Sequence, residues 1–235
     1  MLTTWLSAQF SPYAPGFWLV VGILTTTLLI SVQVYIPPRW RGTAWFFHWL
    51  LIPYLGLLVG GLSPRLLGLA SHDWLAGLGL GVGLIFAVIM LLALARAITD
   101  LDAPTTNTLQ PSKGLRLGWN TISSTLLWCG IEQFHWNFLR GGIWEAIQTL
   151  PNPPELPDYW AIWCAAVVVL IELLLLRPGV YPLLIQVVAL TTTSILFFYT
   201  RNFWLCWFLH VAVQLLTAPP TLLPIAPRPL LYSRR

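Results

Sequence analysis

The stretch WLAGLGLGVGLIFAVIMLLALARAI, Trp74–Ile98, contains a single charged residue, Arg96. A helix that rises about 1.5 Å per residue needs about 20 apolar residues to cross the hydrocarbon of a bilayer. This segment meets that length, so it predicts a transmembrane helix. Runs of the same kind lie on both sides: Phe17–Ile36, Ala44–Leu62, Leu117–Leu139, Tyr159–Leu176, Val180–Thr200 and Phe203–Ala218. Turn chemistry separates them, at Pro37-Pro38, Ser63-Pro64, the polar stretch Asp100–Lys113, Pro151-Asn152-Pro153-Pro154 and Arg177-Pro178-Gly179. Only Arg201-Asn202 divides the last two runs, which predicts a tight helical hairpin there. The expected fold is an all-α bundle of about seven spans in one domain over residues 1–218, followed by a Pro-rich tail, 219–235.

Composition agrees. Hydrophobic residues make up 57% of the 235 positions and charged residues 9%, where a soluble domain carries roughly a quarter. Mean hydropathy is +0.75. The 14 tryptophans cluster toward the ends of the apolar runs, where amphipathic rings anchor at the membrane boundary. The partner implied first is therefore the lipid bilayer.

Lys and Arg in short loops favour the cytoplasmic side. With seven spans, one side carries Arg39, Arg41, Arg96, Lys113, Arg116, Arg177, Arg228, Arg234 and Arg235, and the other only Arg65, Arg140 and Arg201. This division predicts an N-terminus outside and a cytoplasmic C-terminus. It also accounts for the formal charge of +4, which nucleic-acid binding would need as one continuous basic face. No Lys or Arg precedes Phe17, so the basic start of a cleaved signal peptide is missing. Cys129, Cys164 and Cys206 all fall within predicted spans, in an odd number and without a Cys-x-x-Cys, which argues against a disulfide framework or a zinc ribbon.

Function is sought among polar residues at membrane depth, where an ionisable group is costly. Glu132 and Glu172 are the acids well inside spans; His48, His135 and His210 are the histidines. The densest stretch is Glu132-Gln133-Phe134-His135-Trp136-Asn137-Phe138-Leu139-Arg140. Glu132 and His135, three apart, share a helix face, with Arg140 near the same stripe. Such a face can hold a general base or two metal ligands, or it can bond a neighbouring helix. In the last span His210 and Gln214 lie one turn apart. His48 within its aromatic cluster reads as structural, as do the hydroxyls of Thr25–Thr27 and Thr191–Thr193, expected to bond back to their own helices. The alternating Gly77, Gly79, Gly81 and Gly83 predict close approach of another helix rather than a nucleotide loop.

Thr200-Arg201-Asn202-Phe203-Trp204, followed by His210 and Gln214, resembles the C-terminal motif of the CAAX-type intramembrane proteases and bacteriocin-processing enzymes, the CPBP or Abi family. That motif reads Thr-Gly-Asn/Ser-Leu-Trp, then His, then Asn at the same spacing. The family's Glu-Glu-x-x-x-Arg motif has its nearest match in Glu132-Gln133-Phe134-His135-Trp136-Asn137, with the first glutamate kept, the second amidated and the arginine replaced. Glu172 falls where a Phe-x-x-x-His motif belongs. The likeness covers residues 115–218. It implies catalytic residues Glu132, activating a water, and His210, stabilising an oxyanion, with His135 and Glu172 beside them. Gln133, Asn137, Arg140 and Gln214 would be supporting polar groups.

The incomplete motifs favour a non-catalytic or weakly active relative that binds or helps assemble another membrane protein or a hydrophobic cofactor. The alternative is an intramembrane glutamate-dependent endopeptidase that cuts a membrane-bound peptide. Nothing in the sequence names a cofactor. On the expected boundaries Glu132 lies toward the outer face and Glu172 about three turns away in depth, beside Arg177. A metal site shared by Glu132, His135, Glu172 and His210 is therefore not expected.

Overall fold

The structure, a computed structural model, describes residues 10–70, 74–101, 119–176 and 179–217. His72, Asp73, Arg177, the stretch 102–113 and the tail 219–235 lie outside the described residues. Among the described residues there are seven helices and no strand: α1 Pro15–Val32, α2 Pro38–Val59, α3 Trp74–Leu101, α4 Trp119–Gln148, α5 Pro157–Leu176, α6 Val180–Thr200 and α7 Phe203–Thr217. Five of them, α1, α2, α3, α5 and α6, are long and apolar enough to cross a membrane. The chain is an all-α, multi-pass membrane bundle.

Helices α4 and α7 fall outside those five for different reasons. The 30 residues of α4 include Glu132, His135, Asn137 and Arg140, which lower its hydropathy. It is sheltered instead, packed against α1, α2, α5 and α7. The 15 residues of α7 span only about 22 Å, less than the hydrocarbon thickness of about 30 Å. It lies between α3, α4 and α6.

Local chemistry sets the ends. Pro15 and Pro38 stand at the first positions of α1 and α2, where a missing N–H costs no helical bond. Gly60, at φ 82°, ends α2 in the left-handed region. The 60–70 loop then folds onto the α6–α7 turn, where the Phe203 N–H donates to the Gly68 carbonyl at 2.9 Å. Arg201 closes α6 in the left-handed region at φ 46°. Asn202 follows as the cap of α7, its Oδ1 accepting from the Trp204 and Leu205 N–H groups at 2.9 and 3.3 Å. The expected two-residue hairpin is thus present.

Two expectations about the apolar surfaces hold only in part. A Cβ on Gly81 would meet Leu205 at 2.6 Å and one on Gly77 would touch Thr200, whereas Gly79 and Gly83 face open space. One face of the glycine run packs and the other does not, because residues four apart share a helix face. Thr25, Thr27 and Thr192 bond back to their own helices as expected. Thr26 and Thr193 instead also serve neighbouring helices.

Candidate functional site

Polar residues on α4 occupy successive turns and address three different neighbours. Gln133, Asn137 and Arg140 follow an i, i+4, i+7 pattern, Glu132 and Trp136 run beside them, and His135 points to the other side. All are buried.

The first group joins α4 to α6 and α7. Glu132, 3% exposed, accepts a hydrogen bond on Oε2 from Gln186 Nε2 at 3.1 Å, and the same oxygen lies 3.5 Å from His210 Nε2. Trp136 stacks on the His210 ring with centroids 4.8 Å apart and planes inclined by 14°. Gln214 is buried one turn further along α7.

The second group joins α4 to α5, α2 and α1. His135 Nε2 and Glu172 Oε2 are 2.9 Å apart. Trp49 stacks on His135 at 5.7 Å, and the His48 ring lies 6.2 Å from it. His48 Nε2 in turn meets Thr26 Oγ1 at 2.8 Å. His48 therefore belongs to the polar interior rather than to an isolated aromatic cluster.

The third group ties α4 to the 60–70 loop and α6. Gln133 Nε2 donates to Asn137 Oδ1 at 2.9 Å, and Asn137 Nδ2 donates to the Leu67 carbonyl at 3.0 Å. Arg140 Nη1 donates to Asn137 Oδ1 at 2.9 Å, and Nη2 donates to Thr193 Oγ1 and Ser194 Oγ at 3.2 and 2.9 Å.

This arrangement corrects the depths expected from sequence. Glu172 is buried and bonded to His135, while Arg177, expected beside it, lies outside the described residues. His135 lies 13 residues from the end of α4, and Glu172 lies 15 from the start of α5, so antiparallel packing brings them level. The sequence reading also ended this span at Leu139, whereas α4 continues to Gln148, which leaves Glu132 near its middle. Phe134 packs on Phe203, the first residue of α7, so α7 begins level with the middle of α4. His210 thereby reaches Glu132. The face shared by Glu132 and His135 does not form one site, since each serves a different helix pair.

A carboxylate beside an imidazole can hold or move a proton, and the geometry provides this twice. Among the described residues no three His, Cys, Asp or Glu side chains converge as a metal site. Sequence reasoning missed Gln186, Thr26, Trp136 and the Thr193–Ser194 pair. Gln186 carried a usable signal, as a lone amide within an apolar span.

A cavity of about 520 Å³ opens where the 60–70 loop, the end of α4 and the α6–α7 turn meet. Arg140 lines it; Glu132 and His210 do not. No protein-family model matches this sequence, and comparison with curated proteins and with solved structures gives no significant match to it.

Proposed function

We propose that this chain is a non-catalytic or weakly active CPBP-like membrane protein that binds, or helps assemble, another membrane protein or a hydrophobic cofactor. The observation that carries this reading is the closure of the polar centre. Glu132 is 3% exposed and held by Gln186, and His210 is fully buried beneath Trp136. A hydrolase needs its carboxylate within reach of both water and a scissile bond. Here the polar side chains engage one another, as residues that fasten helices do in lipid.

The alternative, an intramembrane endopeptidase, is favoured by the 3.5 Å approach of Glu132 and His210, which stand at two positions of the resembling motifs. Co-purification in mild detergent separates the two, with wild type compared against Glu132→Gln and His210→Ala by mass spectrometry. We expect a partner retained by wild type and no membrane peptide whose cleavage depends on either residue. Loss of a shortened peptide in both folded variants would establish the peptidase and end the binding reading.

The excess of basic residues on one side supports an N-terminus outside and a cytoplasmic C-terminus. An impermeant thiol reagent should then label Ser63→Cys, but not Val34→Cys, in intact cells; the reverse pattern inverts the orientation.

A further inference from the structure

Arg140 lies against the cavity at the end of the bundle, and its charge is not balanced there. The residue is 1% exposed, and no carboxylate among the described residues pairs with it. Two acids line the cavity, Asp158 and Glu145. Asp158 is taken by Arg201. Glu145 Oε2 has no hydrogen-bond partner among the described residues. Neither acid therefore forms an ion pair with Arg140 among the described residues.

Hydrogen bonds to neutral groups hold the cation in place. A guanidinium carries five N–H groups. Three of them, one on Nη1 and two on Nη2, go to Asn137, Thr193 and Ser194. The guanidinium also lies over the Phe197 ring, 5.5 Å from its centroid. Trp144 Nε1, in the cavity lining, has no hydrogen-bond acceptor among the described residues. A buried cation lacking a counter-ion is costly, more so near hydrocarbon than in water.

We propose that this cavity is a binding site for an oxyanion, the phosphate or carboxylate group of a small amphiphile or the same group free in solution, with Arg140 as its anchor. Arg65 at the lining adds positive charge, and Leu66, Ile162 and Phe197 provide apolar surface for the remainder of the ligand. The volume suits a small molecule or a lipid headgroup. The assignment goes beyond the binding or assembly reading and does not depend on it.

The test uses the full chain purified in a neutral detergent. Native mass spectrometry scores retention of phosphatidylglycerol against phosphatidylcholine, and thermal unfolding scores inorganic phosphate. Preferential retention of phosphatidylglycerol, about tenfold, without a phosphate effect assigns a lipid headgroup. Stabilisation by phosphate without lipid preference assigns a free anion. Arg140→Gln should abolish whichever is seen. Because that variant also loosens bonds to α6, Glu145→Gln supplies an independent reading: it removes a like charge and breaks no hydrogen bond to a described residue. Affinity should rise about fivefold at neutral pH. In wild type, binding should strengthen as the pH falls and Glu145 takes up its proton; in Glu145→Gln that dependence should flatten. Arg65, Arg140, Asp158, Tyr199 and Arg201 are the other charged or titratable groups lining the cavity. Equal retention of the two lipids with no phosphate effect overturns the proposal, as does binding that neither variant changes.

Discussion

The contact between His135 and Glu172 shows how a polar pair in an apolar bundle trades cost against specificity. Each side chain alone would be a buried polar group among Trp49, Phe138 and aliphatic neighbours. Together, at 2.9 Å, each satisfies the other and fixes the register of α4 against α5. Removing one partner leaves its mate unmatched, so His135→Leu or Glu172→Leu should each cost about 1–3 kcal/mol. The double replacement should recover part of that loss, with a coupling of about 1–2 kcal/mol. A double-mutant cycle on unfolding in detergent measures this, and additive losses would mean that the two groups do not interact. Both residues were legible in the sequence because an ionisable group in an apolar run stands out. Gln186 and Thr26 were not, since an uncharged polar residue at such a depth has many unremarkable roles.

The turn after α2 and the 60–70 loop have a backbone that leaves little freedom. Gly60 and Gly68 both have positive φ, at 82° and 74°. A Cβ on Gly60 would meet nothing within 4 Å, whereas one on Gly68 would lie 2.7 Å from the Arg201 carbonyl oxygen and 2.9 Å from the Phe203 nitrogen. Both of those atoms are backbone, and neither can turn aside as a side chain would. Gly60→Ala should therefore cost only the left-handed strain, about 1–2 kcal/mol. Gly68→Ala should cost that amount and at least about 2 kcal/mol more, because the 60–70 loop must lift from the α6–α7 turn. Thermal unfolding of the two variants side by side checks the difference; equal losses would mean the loop is not seated there. The helices themselves were legible from apolar length and from Pro and Gly at their ends. Their relative depths were not, because sequence spacing cannot tell that α4 outruns its neighbours or that α7 begins level with Phe134.

At the scale of the whole molecule, burial is distributed unevenly around α4. That helix touches four others and carries six of the buried polar residues, more than any other helix. Helix α3 sits at the opposite extreme. It packs on α6 and α7, and only 11% of its membrane-spanning window is buried. Val82, Phe86, Met90 and Leu94 all face outward. Composition predicted a membrane bundle correctly but did not distinguish these two helices, since lipid and protein are equally apolar neighbours for a leucine. Polar content does distinguish them: the least hydropathic helix is the one that must be enclosed. Local stability should follow the same order, because regions with few tertiary contacts open at lower free energy. Hydrogen–deuterium exchange of the detergent-purified chain should show α3 exchanging before α5 and α6, and the 131–140 segment of α4 exchanging last. In a bilayer α3 should gain more protection than α4, as lipid replaces the detergent on its wide outer face. If α3 were instead as protected as α4 in detergent, its outer face would have to be covered, by a second copy or a retained partner. Crosslinking from Val82→Cys and Phe86→Cys would then identify that cover.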